Sequence, residues 1–165
     1  MQAVATEAGV GKGTVFHRFG DRDGLTGALI DEYMRAFQDE FLHGAPPLGP
    51  GGPPQVRLEA FFAELVRLQV DHLELALAAE RAVTREMPPV YGALVIHVST
   101  LIAEIDPALD AGLLSAYLLS AVSPPVLDRL HSTAGVEVPA LQESVIQLIR
   151  GITAARASAP AATTA

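Results

Sequence analysis

The sequence predicts an all-α fold, and three observations support this prediction. Apolar residues recur with helical spacing, most clearly in a stripe whose members are four residues apart: Leu25, Leu29, Tyr33, Phe37 and Phe41. No segment of useful length alternates between apolar and polar residues, as a half-buried strand would. Half of the 165 residues are apolar and 18% are charged. A chain of this size can therefore bury a sizeable core, as one domain or as a small module joined to a larger one.

Composition excludes several classes of protein. The chain has no cysteine, which excludes disulfides, thiolate metal sites and cysteine nucleophiles. The net charge of −8 excludes a uniformly basic protein that coats nucleic acid, so any nucleic-acid contact must come from a local patch. We find no apolar run near the ~20 residues that a membrane span needs and no signal peptide. We therefore expect a cytoplasmic protein without membrane contact.

The first 43 residues contain three predicted helices. Two short ones cover residues 3–8 and 13–19, and a longer one runs from Asp23 to His43, with Asp21 at the position of an N-cap. Residues 44–54 follow, with five prolines and four glycines, and cannot form a helix or a central strand. We predict that they are a linker between two modules, and that a flexible joint here weakens communication between them unless other contacts bypass it.

Further helices are predicted beyond the linker, in a second module at residues 55–157. Their ranges are 55–86, 90–105, 106–123, 125–131 and 139–156. The third begins at Asp106 as N-cap, with Pro107 at the first helical position. Residues 158–165 are small and polar, which predicts a disordered tail.

The segment 4–25, VATEAGVGKGTVFHRFGDRDGL, has the features of a helix-turn-helix. Ala5 is small enough for two helices to approach closely, and Gly9 suits a left-handed turn between them. Four further residues are spaced to pack between the helices: Val4, Ala8, Val10 and Val15. In a major groove, the N-terminal residues of the second helix would meet base edges. The pattern alone fits equally well two core helices joined by a glycine turn.

The whole string is more specific than this pattern. The run AGVGKGT at residues 8–14, followed by VFHRF and then GDRDGL, resembles the N-terminal DNA-binding region of the TetR family of bacterial transcriptional regulators. The resemblance implies that one group of residues contacts bases or phosphates: Lys12, Gly13, Thr14 and Phe16, with His17 beside them. It also implies a phosphate contact by Arg22. The implied function is a repressor that binds palindromic operator DNA as a homodimer and is released by a small-molecule inducer.

The sequence departs from the family in several places. Phe16 replaces the usual tyrosine, and Gly11 replaces a serine or threonine cap. The family's first helix has no counterpart before Met1, so we expect an incomplete, N-terminally truncated helix-turn-helix module. Residues 1–22 contain three basic and two acidic side chains, a net charge of +1, which is low for a DNA-binding module. The alternative hypothesis is therefore a truncated regulator that does not bind DNA and acts only through its ligand-binding and dimerisation module.

Polar residues within an apolar stripe predict an effector pocket beside the helix at 55–86. If this helix is continuous at 100° per residue, Gln69, His72 and Glu80 share a face with Leu58 and Leu65. Polar groups that face a core need partners. The predicted pocket residues are Phe62, Gln69, His72, Glu80 and Tyr91, although a hydrogen-bonded core histidine would explain His72 equally well. We expect His97 at the surface.

The helix at 106–123 is apolar around most of its circumference, which predicts a partner surface. With the last helix it fits the family's dimer interface, a four-helix bundle, through eight residues: Leu114, Tyr117, Leu118, Leu141, Val145, Leu148, Ile149 and Ile152. A core helix in a monomer remains the alternative. We predict no enzyme, no cofactor and no metal site, because catalytic motifs and metal-ligand spacings of histidine are absent.

Overall fold

A computed structural model of the chain describes residues 1–82 and 89–154, which are helical with connecting turns and contain no strand. The helices are α1 (Gln2–Glu7), α2 (Lys12–Phe19), α3 (Arg22–His43), α4 (Pro54–Asp71), α5 (Leu73–Ala82), α6 (Pro89–Ile105), α7 (Ala111–Ala121), α8 (Pro124–Asp128) and α9 (Val138–Ala154). A π-helical turn, Arg129–Thr133, follows α8. The all-α fold with an N-terminal helix-turn-helix is confirmed.

Helix α3 begins and ends close to where the sequence predicts. The carboxylate of Asp21 accepts a hydrogen bond of 2.8 Å from the backbone N–H of Gly24, so Asp21 is the N-cap of the helix. At the other end, Phe37 and Phe41 are buried, whereas the N-terminal half of α3 has no fully buried residue. The same helix therefore starts at the surface and ends in the core.

The core lies between the C-terminal half of α3 and helices α4, α6, α7, α8 and α9. At its centre, the rings of Phe37, Phe41 and Phe61 have centroids 5.1–5.3 Å apart in edge-on and tilted arrangements. Apolar contacts thus continue across the predicted module boundary at residues 44–54. The division of the chain into two modules stays a prediction.

The single helix predicted over residues 55–86 is interrupted at His72. Helix α4 ends at Asp71, His72 has φ −119° and ψ 27°, and α5 begins at Leu73. The assumption of one continuous helix was therefore wrong. The rotation of 100° per residue does not hold at His72, so it cannot predict which residues of α4 and α5 share a face. The predicted end of that helix and the predicted tail fall in residues 83–88 and 155–165, outside the described residues.

Helix α7 begins later than predicted. Its N-cap is Asp110, whose carboxylate accepts a 2.9 Å hydrogen bond from the N–H of Leu113. The carboxylate of Asp106 instead accepts from the N–H of Ala108 in the preceding turn. Both aspartates suit a cap by residue type, and the prediction chose the wrong one.

The Pro- and Gly-rich segment forms a compact loop up to Pro53, and Pro54 is the first residue of α4. The N–H of Gly49 donates to the carbonyl of Ala45 at 3.0 Å, and Leu48 packs against the core. A Cβ atom at position 49 would lie 1.8 Å from the carbonyl oxygen of Gly44, so this close approach of two backbone segments requires glycine.

One stretch of the described residues, residues 111–133, is apolar and long enough to cross a membrane by length and composition. Our expectation from the sequence was that no stretch comes near this length. The stretch is divided between α7 and α8 by Ser123, whose extended backbone (φ −66°, ψ 151°) precedes Pro124. It is therefore not one continuous helix.

Candidate functional site

Helices α1 and α2 are joined by the tight turn that the sequence predicts. Gly9 has φ +64°, in the left-handed region that favours glycine. Its N–H donates to the carbonyl of Thr6 at 3.2 Å, and the N–H of Val10 donates to that of Ala5 at 3.0 Å. These bonds satisfy the carbonyls at the end of α1 and fix the direction in which α2 begins.

The contact between the two helices runs through Ala5 and Val15, whose side chains are buried. The prediction that Val4, Ala8 and Val10 also pack between the helices was wrong, because all three are exposed, Val4 to 41% and Val10 to 44%. The first 15 residues thus combine a small buried contact with two exposed valines.

Helix α2 presents the predicted DNA-contacting residues on its exposed surface. Lys12, Gly13, Thr14, Phe16 and His17 are all exposed in α2, and Arg22 is exposed as the first residue of α3.

Within this group, the ammonium nitrogen of Lys12 lies 5.7 Å from the ring centroid of Phe16, one helical turn away. The ring is 44% exposed. The helix therefore offers a cation and an apolar ring side by side, which are the chemical groups that contact phosphates and thymine methyls.

The corner between α2 and α3 depends on a glycine whose role the sequence did not reveal. A Cβ atom at Gly24 would lie 2.0 Å from the carbonyl oxygen of Phe19, the last residue of α2. The N–H of Gly24 also donates to the capping carboxylate of Asp21. Gly24 thus allows the end of α2 to lie directly against the first turn of α3, which fixes α2 on α3.

A cavity of about 800 Å³ lies between α3, α4, α5, α6 and the α7–α8 junction. Its volume lies in the range of pockets that hold drug-sized ligands, roughly 300–1,000 Å³. Three of the five predicted pocket residues line it: Gln69, Glu80 and Tyr91.

The other two predicted pocket residues lie elsewhere. Phe62 is fully buried in the core. His72 does not line the cavity, and its ring stacks on that of Tyr33, with centroids 4.5 Å apart and planes 12° apart. Gln69 is anchored, because its side-chain amide donates to the carbonyl of Val122 at 2.9 Å.

The sequence analysis missed the wall of the cavity that α3 forms. Seven lining residues come from this helix: Asp23, Thr26, Gly27, Ile30, Asp31, Tyr33 and Met34. Burial raises the pKa of Tyr33 above its ordinary value. Spacing along α3 alone could not identify this wall, since it forms only where α5 and α6 pack against the helix.

His97 is buried, contrary to the expectation of a surface position. Only 8% of the residue is exposed, and its ring lies against those of Phe41 and Phe61, with centroids 4.3 Å and 5.2 Å away. Its Nε2 atom has no hydrogen-bond partner among the described residues. Burial, together with the nearby charge of Arg57, lowers the pKa of His97 to about 4, so the imidazole is neutral at pH 7.

The residues predicted for a dimer interface divide into two groups. Leu118, Leu141, Val145 and Ile149 are buried in the core of the protomer itself. Leu114 and Ile152 are partly buried, whereas Tyr117 and Leu148 are 63% and 45% exposed. In the part of the chain that the structure describes, no group of acidic and histidine side chains could hold a metal ion.

Helix α2, exposed and joined to α1 by a tight turn, lies against the start of the long helix α3, which is the arrangement of a helix-turn-helix. In agreement, residues 1–29 match the family model described as bacterial regulatory proteins, tetR family. The match covers the N-terminal region alone and shows that this region is of the TetR DNA-binding type, as the sequence predicted, which supports a DNA-binding transcriptional regulator. Members of this family are generally non-enzymatic. No curated protein and no solved structure matches the chain.

Proposed function

We propose that this chain is a cytoplasmic repressor that a small-molecule inducer releases from its operator. The observation that carries the proposal is that α3 forms one wall of the cavity and also holds the recognition helix α2 at its N-terminus. A ligand in the cavity therefore touches the element that positions α2, with no intervening structure. Gln69, Glu80 and Tyr91 remain our candidates for ligand contacts from the other walls.

The geometry of α3 supports a mechanism by population shift. Phe37 and Phe41 hold its C-terminal half in the core, while residues 23–34 lie along the cavity. The distance from Phe41 to Arg22 is roughly 30 Å at 1.5 Å per residue, so a tilt of about 10° moves Arg22 by about 5 Å. An inducer that binds the tilted conformation more tightly reduces the fraction of protein whose α2 is spaced for DNA.

The proposal includes a homodimer that binds a palindromic operator. Two recognition helices about one helical turn of DNA apart, ~34–36 Å, would read both half-sites and combine their binding energies. Large exposed apolar side chains on α7 and α9 support this arrangement: Leu113, Tyr117 and Leu148, of which Leu113 is 50% exposed. A two-fold contact between these surfaces would remove them from water.

DNA binding is tested with the full chain and the DNA upstream of its own gene, at two salt concentrations. We expect specific binding that weakens with salt. Lys12→Ala should weaken it by about tenfold and reduce the salt slope by about one, because one phosphate contact is lost. Arg35→Ala is the matched control, since Arg35 is exposed on α3 in an ion pair with Glu32. Equal binding by both variants would refute the predicted contact.

A second candidate function is a regulator that does not bind DNA and acts through its ligand-binding and dimerisation helices. The low net charge of residues 1–22 and the exposure of Val4 and Val10 favour it. A folded dimer that does not shift promoter DNA at low salt would select this function over the first.

A further inference from the structure

The ring of Tyr33 in α3 stacks on the ring of His72 at the junction of α4 and α5, with centroids 4.5 Å apart and planes 12° apart. We propose that these two residues position α3 for DNA binding, and that an occupant of the cavity acts by separating their rings; this rests on the proposed function, in which the cavity binds an inducer and α3 carries the recognition helix α2. Both residues lie outside the group that is predicted to contact DNA, so their role is to position that group.

His72 is held in place by the backbone on both sides of it. Its N–H donates to the carbonyl of Leu68 at 3.2 Å, and its carbonyl accepts from the N–H of Ala76 at 3.0 Å, so it belongs to the hydrogen-bond pattern of both helices. Three residues earlier, the side-chain amide of Gln69 ties the end of α4 to the carbonyl of Val122. The imidazole therefore gives α3 a fixed surface to pack on.

Tyr33 lies at the point where α3 leaves the core. In chain order it is the first residue of α3 that packs against the buried apolar cluster, followed by Met34 and by the buried Phe37. Residues 22–32 extend beyond this point for about 16 Å at 1.5 Å per residue. A contact at the exit point sets the direction of this segment, because the segment has no fully buried residue of its own.

The position of Tyr33 on α3 amplifies small movements. Tyr33 is about 12 Å along the helix from the anchor Phe41, and Arg22 is about 28 Å from the same anchor. A displacement of about 2 Å at Tyr33 therefore becomes about 5 Å at Arg22, next to α2. A gap of about 2 Å also removes most of the attraction between two stacked rings, because dispersion falls steeply with distance. Loss of the stack and displacement of α2 are thus one movement.

The cavity gives an occupant access to one ring of the pair. Tyr33 lines the cavity together with Ile30 and Met34 of the same helix, whereas His72 does not. An occupant that binds more tightly when α3 lies farther from His72 shifts the equilibrium towards separated rings. If the two rings only filled space, their loss would lower stability without changing the position of α2 or DNA binding.

The direction of α3 is measured without DNA, as the distance between two spin labels on the full chain. The chain has no cysteine, so Arg18→Cys on α2 and Thr100→Cys on α6 provide two unique labelling sites, both exposed. Excess unlabelled chain restricts the measurement to distances within one protomer. We expect one distance in the chain that is otherwise unaltered and, in His72→Ala, a second one that differs by about 5 Å. His72→Phe should restore the single distance, because it restores an aromatic ring.

Operator binding by the same variants is the functional measurement. His72→Ala should bind the operator roughly two- to tenfold more weakly, as expected for the loss of one aromatic pair, and His72→Phe should bind as the unaltered chain does. Tyr33→Leu breaks the stack from the side of α3 and should reproduce both effects of His72→Ala. His43→Ala is the matched control, because His43 is exposed at the end of α3 and pairs with Asp39. Unchanged distance and affinity in both stack variants, or no rescue by His72→Phe, would overturn the inference.

A large side chain in the cavity serves as a substitute for an occupant. Ala79 of α5 lines the cavity, so Ala79→Trp places an indole ring there, and Glu74→Trp is the matched control at an exposed position of the same helix. Ala79→Trp should weaken operator binding and shift the label distance in the unaltered chain. It should have little further effect in His72→Ala, because the rings are already separated. An equal effect in both backgrounds, or none in either, would overturn the inference.

Failure of the proposed function would look different from failure of this inference. If the label distances follow the expected pattern in every variant but the full chain binds no operator, the repressor function falls and the positioning of α3 by Tyr33 and His72 stands. If Ala79→Trp weakens operator binding equally with and without His72, the inference falls and regulation through the cavity stands.

Discussion

The buried imidazole of His97 should make the protein less stable as the pH falls, and His97→Phe should remove this effect. The ring already lies among Phe41 and Phe61, so phenylalanine keeps an aromatic group in an aromatic environment. The substitution also removes the unpaired Nε2 atom, whose burial without a partner costs free energy. We therefore expect His97→Phe to fold and to be at least as stable as the unaltered chain at pH 7.

The size of the effect follows from the pKa of His97, which is about 4 in the folded protein against an ordinary value of 6.5. Between these values the unfolded chain binds the proton and the folded chain does not, so the free energy of unfolding decreases as the pH falls from 6.5 towards 4. The difference between these two pKa values corresponds to roughly 3 kcal/mol, an upper value because the residue is not wholly shielded from water.

Urea unfolding at several pH values between 7 and 4, at one fixed protein concentration, measures this difference. The unaltered chain should lose up to about 3 kcal/mol more than His97→Phe over this range. His43→Gln is the control, because His43 is exposed and lies beside Asp39 at the end of α3. Parallel curves for the unaltered chain and His97→Phe would refute the assignment of a depressed pKa to His97.

Three further predictions concern the corner, the α4–α9 contact and the dimer. Gly24→Ala should abolish operator binding in a gel shift, because a Cβ atom there would lie 2.0 Å from the carbonyl oxygen of Phe19. Gly27→Ala is the control. A Cβ atom at Gly27 would meet no atom within 4 Å, so this variant should fold and bind DNA. Arg150→Ala should lower the urea midpoint at pH 7 and do so less at pH 3. Arg150 lowers the pKa of Glu59, so this stabilisation is present above the unfolded pKa and is lost as the pH falls through the lowered pKa of the folded protein. Tyr117→Glu should give a folded monomer in sedimentation analysis.

Local sequence signals predicted the N-terminal part of the fold well. Gly9 adopts the left-handed turn, Asp21 caps α3, and α3 ends at His43, because each of these features depends on a few adjacent residues. Helix α2 could also be predicted from the sequence, because its exposed residues belong to one contiguous string that resembles a known family.

Features that depend on contacts between distant segments were not predictable. The break at His72 has no proline or glycine to mark it. His97 lies at the edge of the apolar face of α6, and its burial is decided by Phe41, which is 56 residues earlier in the chain. The α3 wall of the cavity also depends on distant segments, because α3 residues such as Asp31 line a cavity only when α5 and α6 are in place.

The Pro- and Gly-rich loop shows why composition does not determine rigidity. Its residues exclude a helix, as predicted, but the hydrogen bond from Gly49 to Ala45 and the packing of Leu48 hold its backbone in place. The loop is also not on the route between ligand and DNA. Helix α3 contacts α5 and α6 directly and lines the cavity itself, so the displacement of α3 by a ligand reaches α2 without passing through residues 44–53. If the proposed mechanism holds, we therefore expect that mobility of this loop does not weaken induction, and that communication between the two ends of α3 depends on the stiffness of that helix and on its anchors Phe37 and Phe41.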